Sequence, residues 1–273
     1  MSRTEIKDYG EFGLIHHLTK NIELQNASSI LGVGDDAAVI DHFGKQTVIT
    51  TDLLVEGVHF DLSYTPLKHL GYKSVIENLS DVYAMNAMPT QITLSIGLSS
   101  RFSVEAIEEF YEGVYAACEE HGVDLIGGDT SSSQKGFIIS VTAIGEVVAD
   151  KVVKRSTAQK GDLICVSGDL GGAYLGLLFL EREKKIFIES PGVQPDLENE
   201  AYVIGRLLKP KARKDIFEFL EEKDILPTSM MDISDGLSSE LLHICEKSGV
   251  GCVIYEEKLP IAEDARNAAY KFE

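Results

Sequence analysis

The sequence predicts an α/β protein of two domains. Three observations carry this. The chain has 273 residues, enough for two units each with its own core. β-branched or alternating runs are separated by stretches of helical period. A polar, partly basic stretch, ADKVVKRSTAQKG from Ala149 to Gly161, interrupts two apolar runs. The boundary is placed there, giving domains at 1–149 and 150–273.

In the first domain, Ala37 to Ile40, Thr47 to Asp52, Gln91 to Leu98 and Phe137 to Val148 read as strands. A helix is expected from Leu67 to Ala87, with Tyr72, Val75, Ile76, Leu79, Val82 and Tyr83 on its buried face. Ser74, Asn78 and Asp81 recur at i, i+4 and i+7 and form a polar line, which on periodicity alone is equally the solvated side of an amphipathic helix. A second helix is expected from Val104 to His121, with Ser103 as N-cap and Gly122 as left-handed C-cap. Its stripe Val104, Ile107, Tyr111, Val114 and Cys118 should face a sheet.

Past the boundary, Asp162 to Ser167 reads as a strand, GDLGG as a loop and Ala173 to Lys185 as a helix. Such a unit points backbone N–H groups toward an anion. Further helices are expected at Glu198 to Leu208, Ala212 to Glu222 and Gly236 to Lys247, and a strand at Gly251 to Tyr255.

The formal net charge of −19 argues against a direct nucleic-acid grip, which needs clustered Lys and Arg. The same acidity would repel a free phosphate ligand unless divalent cations stand between carboxylates and phosphate oxygens. Cys118, Cys165, Cys245 and Cys252 form no CxxC pair, so neither zinc nor a disulfide framework is indicated, and a reducing cytoplasm fits. No signal-peptide pattern and no apolar run of spanning length occur, so no membrane role is expected.

Four segments combine Asp with Gly, Ser or Thr: Gly34-Asp35-Asp36, Thr50-Thr51-Asp52, Gly127-Gly128-Asp129-Thr130 and Met231-Asp232-Ile233-Ser234-Asp235-Gly236. Each alone is a common turn or helix cap. Together with Asp81 they supply the hard oxygens that octahedral cations take. No GxxxxGK[ST] loop occurs, the protein-kinase glycine loop with its partners is missing, and SGDLGG lacks GxGxxG spacing. An ATP enzyme with this sequence must therefore hold phosphates mainly through metal.

GEFGLI, GVGDDAAVI, TTDLLVEGVHF, ENLSDVYAM, LIGGDTSSS and MMDISDGLSSEL occur in the order in which similar segments occur in thiamine-monophosphate kinases. The chain resembles that family closely and, more loosely, the superfamily of aminoimidazole ribonucleotide synthetase, selenophosphate synthetase and the hydrogenase-maturation dehydratase. The resemblance implies a two-domain PurM-like architecture. Its N-terminal mixed sheet, with helices on one face, would pair in a dimer barrel to give a homodimer, and its C-terminal α/β domain would be incomplete here. Family members continue into a GGEDYELLF-like segment, whereas this sequence ends at Lys271-Phe272-Glu273.

By the same resemblance, Asp36, Thr50, Thr51, Asp52, Asp81 and Asp129 would hold several magnesium ions, and Asp232 and Asp235 would add metal contacts. Turnover would depend on Asp36, Asp52, Asp81, Asp129 and Asp232. Tyr111, the Gly127-Gly128 backbone, Arg155 and Ser234 would meet ATP, and His59 the thiamine phosphate. Tyr111 also reads as core, Arg155 as a linker charge and His59 as a strand-end cap. The implied reaction is in-line transfer of the ATP γ-phosphoryl group to thiamine monophosphate. Alternatives are another ATP-dependent reaction of the superfamily, or a silent nucleotide- and metal-binding module.

Overall fold

The computed structural model describes residues 4–31, 39–40 and 44–272. Its helices and strands, in order, are α1 (Ile6–Thr19), β1 (Ser29–Leu31), β2 (Val39–Ile40), β3 (Gln46–Val55), α2 (Leu67–Ala84), β4 (Met88–Leu98), α3 (Val104–His121), β5 (Asp124–Ser132) and β6 (Phe137–Val147). Then come α4 (Gly172–Glu189), α5 (Ala201–Leu208), α6 (Lys214–Glu222), α7 (Leu237–Ser248) and α8 (Glu263–Ala269). The α/β class is as expected. Two compact units divide the chain: residues up to Lys154 with Lys211–Asp232, and Arg155–Pro210 with Ile233 onward. Lys211–Asp232, which a linear two-domain reading places in the second domain, packs with the first: Phe217 lies 5.6 Å from the Tyr83 ring, and Lys214 Nζ donates to Glu120 O at 3.2 Å.

The first unit is a mixed sheet of order β3-β6-β4-β5, in which β4 and β5 are parallel and the other pairs antiparallel. One face is apolar: Leu54, Leu94, Ile139, Val141 and Ala143 are buried there, with α2 packed against that layer. α3 runs beside α2 and has the caps its sequence announces. Ser103 Oγ accepts from Ala106 N–H at 3.3 Å, and Gly122 takes φ 68°. α2 ends at Ala84 rather than Ala87, because Asn86 turns into the left-handed region at φ 57° and the Met85 N–H closes back on Val82 O.

The polar line on α2 is not solvated. Ser74 and Asn78 are fully buried; Asn78 Nδ2 donates to Ser74 O, and its Oδ1 takes the Asp52 N–H at 3.1 Å. That line is where the helix meets β3. A second buried network anchors the segment before β1: Asp124, 1% exposed, accepts from Gln25 N–H, Asn26 N–H and Ser29 Oγ at 2.5, 3.0 and 2.5 Å.

In the second unit, α4, α5 and α8 gather around Phe179, Val203, Ala265 and Ala268. Two expected strands do not form. Residues 162–167 and 251–255 run without sheet partners among the described residues, and Leu163 and Val253 are 89% and 73% exposed. Apolar alternation supplies a strand's side chains, but the ladder needs a neighbour for its N–H and C=O groups. The GDLGG loop does lead into a long helix, with Gly171 at φ 86° before α4.

Candidate active site

Strand alternation sends Thr50 and Asp52 to the helix-bearing face of β3 and Thr51 to the opposite face. On the helix side, Thr50 Oγ1 donates to Asp81 Oδ2 at 2.7 Å, and the Asp52 backbone is pinned by Asn78. Burial pushes the Asp52 carboxyl above the usual carboxylate range, and neighbouring Asp81 pushes it further. Two acidic groups therefore share one half-buried site. Thr51 is turned away: its hydroxyl donates to Val141 O at 3.0 Å and accepts from Thr142 Oγ1 at 3.1 Å.

Two further α2 side chains, absent from the sequence-predicted set, belong to this neighbourhood. Glu77 interacts electrostatically with both Asp52 and His59; burial raises its proton affinity, and Lys73, 3.4 Å away at i−4, is the main opposing influence. The Glu and Lys spacing reads in sequence as an ordinary surface pair. Only the strand beside it gives it a place near Asp52. Asp232 Oδ2 accepts from Ser80 Oγ at 2.9 Å, so the first Asp of the MDISDG motif reaches α2 at the residue next to Asp81.

Asp129 is elsewhere. The row Asp52–Val141–Leu94–Gly128 crosses all four strands, so Asp52 on β3 and Asp129 on β5 stand at opposite sheet edges. Three strand spacings separate them by about 14 Å. Asp129, Gly127, Gly128 and Tyr111 do share one open hollow, together with Leu94, Leu125 and Thr130. Tyr111 is 6% exposed, so it is both a core residue and the wall of that hollow, and burial raises its phenol's proton affinity. Thr51 apart, the structure thus gathers the first unit's described site residues into two places. Asp36 lies outside the described residues.

In the second unit, Arg155, Ser234 and Asp235 are exposed. The Ser234-Asp235-Gly236 turn is held by Glu240, 4% exposed, which accepts from Asp235 N–H at 3.1 Å and Gly236 N–H at 3.0 Å. Arg155 O accepts from Ser248 Oγ at 3.0 Å.

Among the described residues no three His, Cys, Asp or Glu side chains converge as a ready-made metal cage. Magnesium does not require one, because it is commonly held by one or two carboxylates plus substrate phosphates and water. Asp52, Asp81 and the Thr50 hydroxyl fit that pattern: the donors are all hard oxygens, and beyond the effect of burial the Asp81 charge raises the proton affinity of Asp52, a repulsion that a cation would relieve.

Residues 34–147, within the first unit, match the family model described as AIR synthase related protein, N-terminal domain. The thiamine-monophosphate kinase of Aquifex aeolicus (strain VF5) is 36% identical over 267 residues, 98% of this chain and 80% of the relative. Solved structures agree. The complex of AaThiL with AMPPCP and TMP has a TM-score of 0.73 at 34% identity, covering 100% of this chain and 81% of that one. Thiamine-monophosphate kinase from Stenotrophomonas maltophilia K279a has a TM-score of 0.76 at 34% identity, covering 93% and 79%. The chain belongs to the thiamine-monophosphate kinase family, a family of kinases.

Proposed function

We propose that this protein transfers the γ-phosphoryl group of ATP to thiamine monophosphate, giving thiamine diphosphate and ADP. The observation that carries the reading is the carboxylate pair Asp52 and Asp81, joined to Thr50 and raised in proton affinity at Asp52, in a chain of this family. The solved relative holding AMPPCP, an ATP analogue, together with TMP supports the pair of substrates.

In this reading Thr50, Asp52 and Asp81 hold one magnesium ion, and the family pattern assigns Asp36, Thr51, Asp129, Asp232 and Asp235 to further ions. Bound magnesium would neutralise polyphosphate charge and let two anions approach. The acceptor's second phosphate pKa is about 6, so its attacking oxygen is already ionised near neutrality and no general base is required. The protein's own residues supply position. Tyr111 and the Gly127-Gly128 backbone wall one hollow and serve as nucleotide contacts; the family pattern names Ser234 as a further nucleotide contact. Arg155 offers a planar donor fork suited to phosphate oxygens, and His59 meets the acceptor phosphate. A homodimer in the cytoplasm is part of the proposal. Among the described residues no helix is long and apolar enough to cross a membrane.

The test is a coupled assay with ATP, magnesium and thiamine monophosphate, run against ATP alone. Thiamine diphosphate formation in step with ADP release supports the kinase. ADP release that ignores the acceptor points to a different reaction, and tight ATP binding without release points to a silent module.

A further inference from the structure

The turn between β3 and α2 is held more firmly than an exposed connection needs. Val58 and His59 N–H both donate to Val55 O at 3.1 and 2.9 Å, and Gly57 N–H donates to Phe60 O at 2.8 Å. Phe60 is buried edge-on against Phe137, with ring centroids 6.3 Å apart. Glu56 ties the turn to the start of β6. Its backbone N–H donates to Phe137 O at 3.0 Å, and its Oε2 takes the Phe137 N–H at 2.8 Å. Its Oε1 pairs with Arg101, whose guanidinium lies 4.9 Å over the Phe102 ring. At Gly136 a Cβ would come within 3.1 Å of Glu56 Oε2, so the absence of a side chain leaves room for this carboxylate.

The lock has a chemical consequence at His59. Val55 N–H donates to His59 Nδ1 at 3.0 Å. A backbone amide only donates, so Nδ1 must accept, and a neutral imidazole then carries its proton on Nε2. The ring is exposed and lies in the electrostatic neighbourhood of Asp52 and Glu77.

We propose that Glu56 is a positioning residue: by fixing the Val55–Phe60 turn to β6 and Arg101, it holds His59 as the Nε2–H tautomer, a preset neutral donor to a phosphate oxygen of the acceptor. The ligand's identity rests on the kinase reading above; the tautomer does not. Preorganised donors of this kind cost no reorientation when the anion arrives.

The experiment joins a spectroscopic and a kinetic readout on the whole chain. Histidine-selective ¹⁵N labelling with ring ¹H–¹⁵N correlation should show His59 as a single Nε2–H tautomer in the wild type and as a mixture in Glu56→Ala. The KM for thiamine monophosphate should rise about tenfold in Glu56→Ala, the scale of one misplaced charge-assisted hydrogen bond. The KM for ATP should stay put, and Glu56→Gln, which can still accept from Phe137 N–H, should recover most of the loss. His59→Gln, which keeps a donor near the Nε2 position, should be milder than His59→Asn. A wild-type Nδ1–H tautomer overturns the proposal, and so does an unchanged tautomer in Glu56→Ala. A fall in kcat with both KM values unmoved means Glu56 is only structural, and also overturns it. Absence of thiamine monophosphate turnover in a wild type with the expected tautomer overturns the kinase reading and the acceptor role, leaving the tautomer result to stand by itself.

Discussion

Thr50 Oγ1 donates to Asp81 Oδ2 across 2.7 Å, joining the middle of β3 to the last turns of α2 beside Asp52. The bond orients Asp81 while leaving its other oxygen for a ligand. Asp52→Asn and Asp81→Asn should each lower kcat/KM by about a hundredfold or more, the usual scale for losing one fixed electrostatic contact in a transition state. Thr50→Val should cost less, about tenfold, and should raise the magnesium concentration needed for half-maximal rate. Steady-state rates across a magnesium titration check all three. Either asparagine variant turning over normally at low magnesium would remove this pair from the mechanism.

The two helices behind the pair meet at Gly71 and Gly113. A Cβ on Gly71 would lie 1.9 Å from Phe110 O, and one on Gly113 1.9 Å from Lys68 O. Neither is the far end of a side chain that can swing away, so Gly71→Ala or Gly113→Ala must separate the helix backbones. Overpacking of this kind costs roughly 1–3 kcal/mol. It should also shift Asn78 and Asp81, which ride on α2. Urea denaturation should show a lower midpoint for both variants, with kcat reduced in whatever remains folded; wild-type stability in either variant would mean the helices are not in such close contact.

Much of the first unit is legible in sequence because its signals are local. Ser103 and Gly122 mark both ends of α3, and the strand alternation of 46–55 and 137–147 is carried by its own residues. β5 was hidden because Gly127-Gly128-Asp129 has turn composition, and only pairing with β4 makes it a strand. Asn78 and Ser74 looked like a solvated line for the same reason: nothing in α2 itself reports that β3 lies over them. The site residues divide likewise. Motif matching finds Asp52, Asp81 and Asp129 but gives no distance, and the separation of Asp129 from the other two follows from strand order. Glu56, Glu77 and Glu240 lie within the quoted motif segments, but what each touches is set by the fold, so their residue types alone could not single them out.

His121 makes stability depend on pH. It is 4% exposed, its Nδ1 shares a 3.0 Å hydrogen bond with Tyr83 OH, and burial holds its pKa below the ordinary 6.5, with Lys214 adding to the effect and Glu120 and Glu218 opposing it. Between the folded pKa and 6.5 the unfolded chain binds more protons than the folded one, so stability rises with pH in that window and falls as the pH drops below 6.5. Unfolding free energies at pH 7.5 and 5.5 should therefore differ more in the wild type than in His121→Gln, which cannot titrate. Equal pH sensitivity in the two would assign the acid loss to carboxylates alone.

Glu240 offers the last test, because it links helix capping to a motif expected to bind. Its two oxygens take the N–H groups of Asp235 and Gly236, so the turn that displays Ser234 and Asp235 is set by a buried carboxylate on the first turn of α7. Removing it in Glu240→Ala leaves two donors without their partner, a loss of roughly 1–3 kcal/mol. That loss should be local. Hydrogen exchange followed by mass spectrometry should speed up at 234–240 while the β4–β6 amides keep their protection. If Ser234 and Asp235 serve the nucleotide and its magnesium, the KM for ATP should rise several-fold in step with that exchange. Faster exchange with an unchanged KM would show that the turn's order matters to α7 and not to binding.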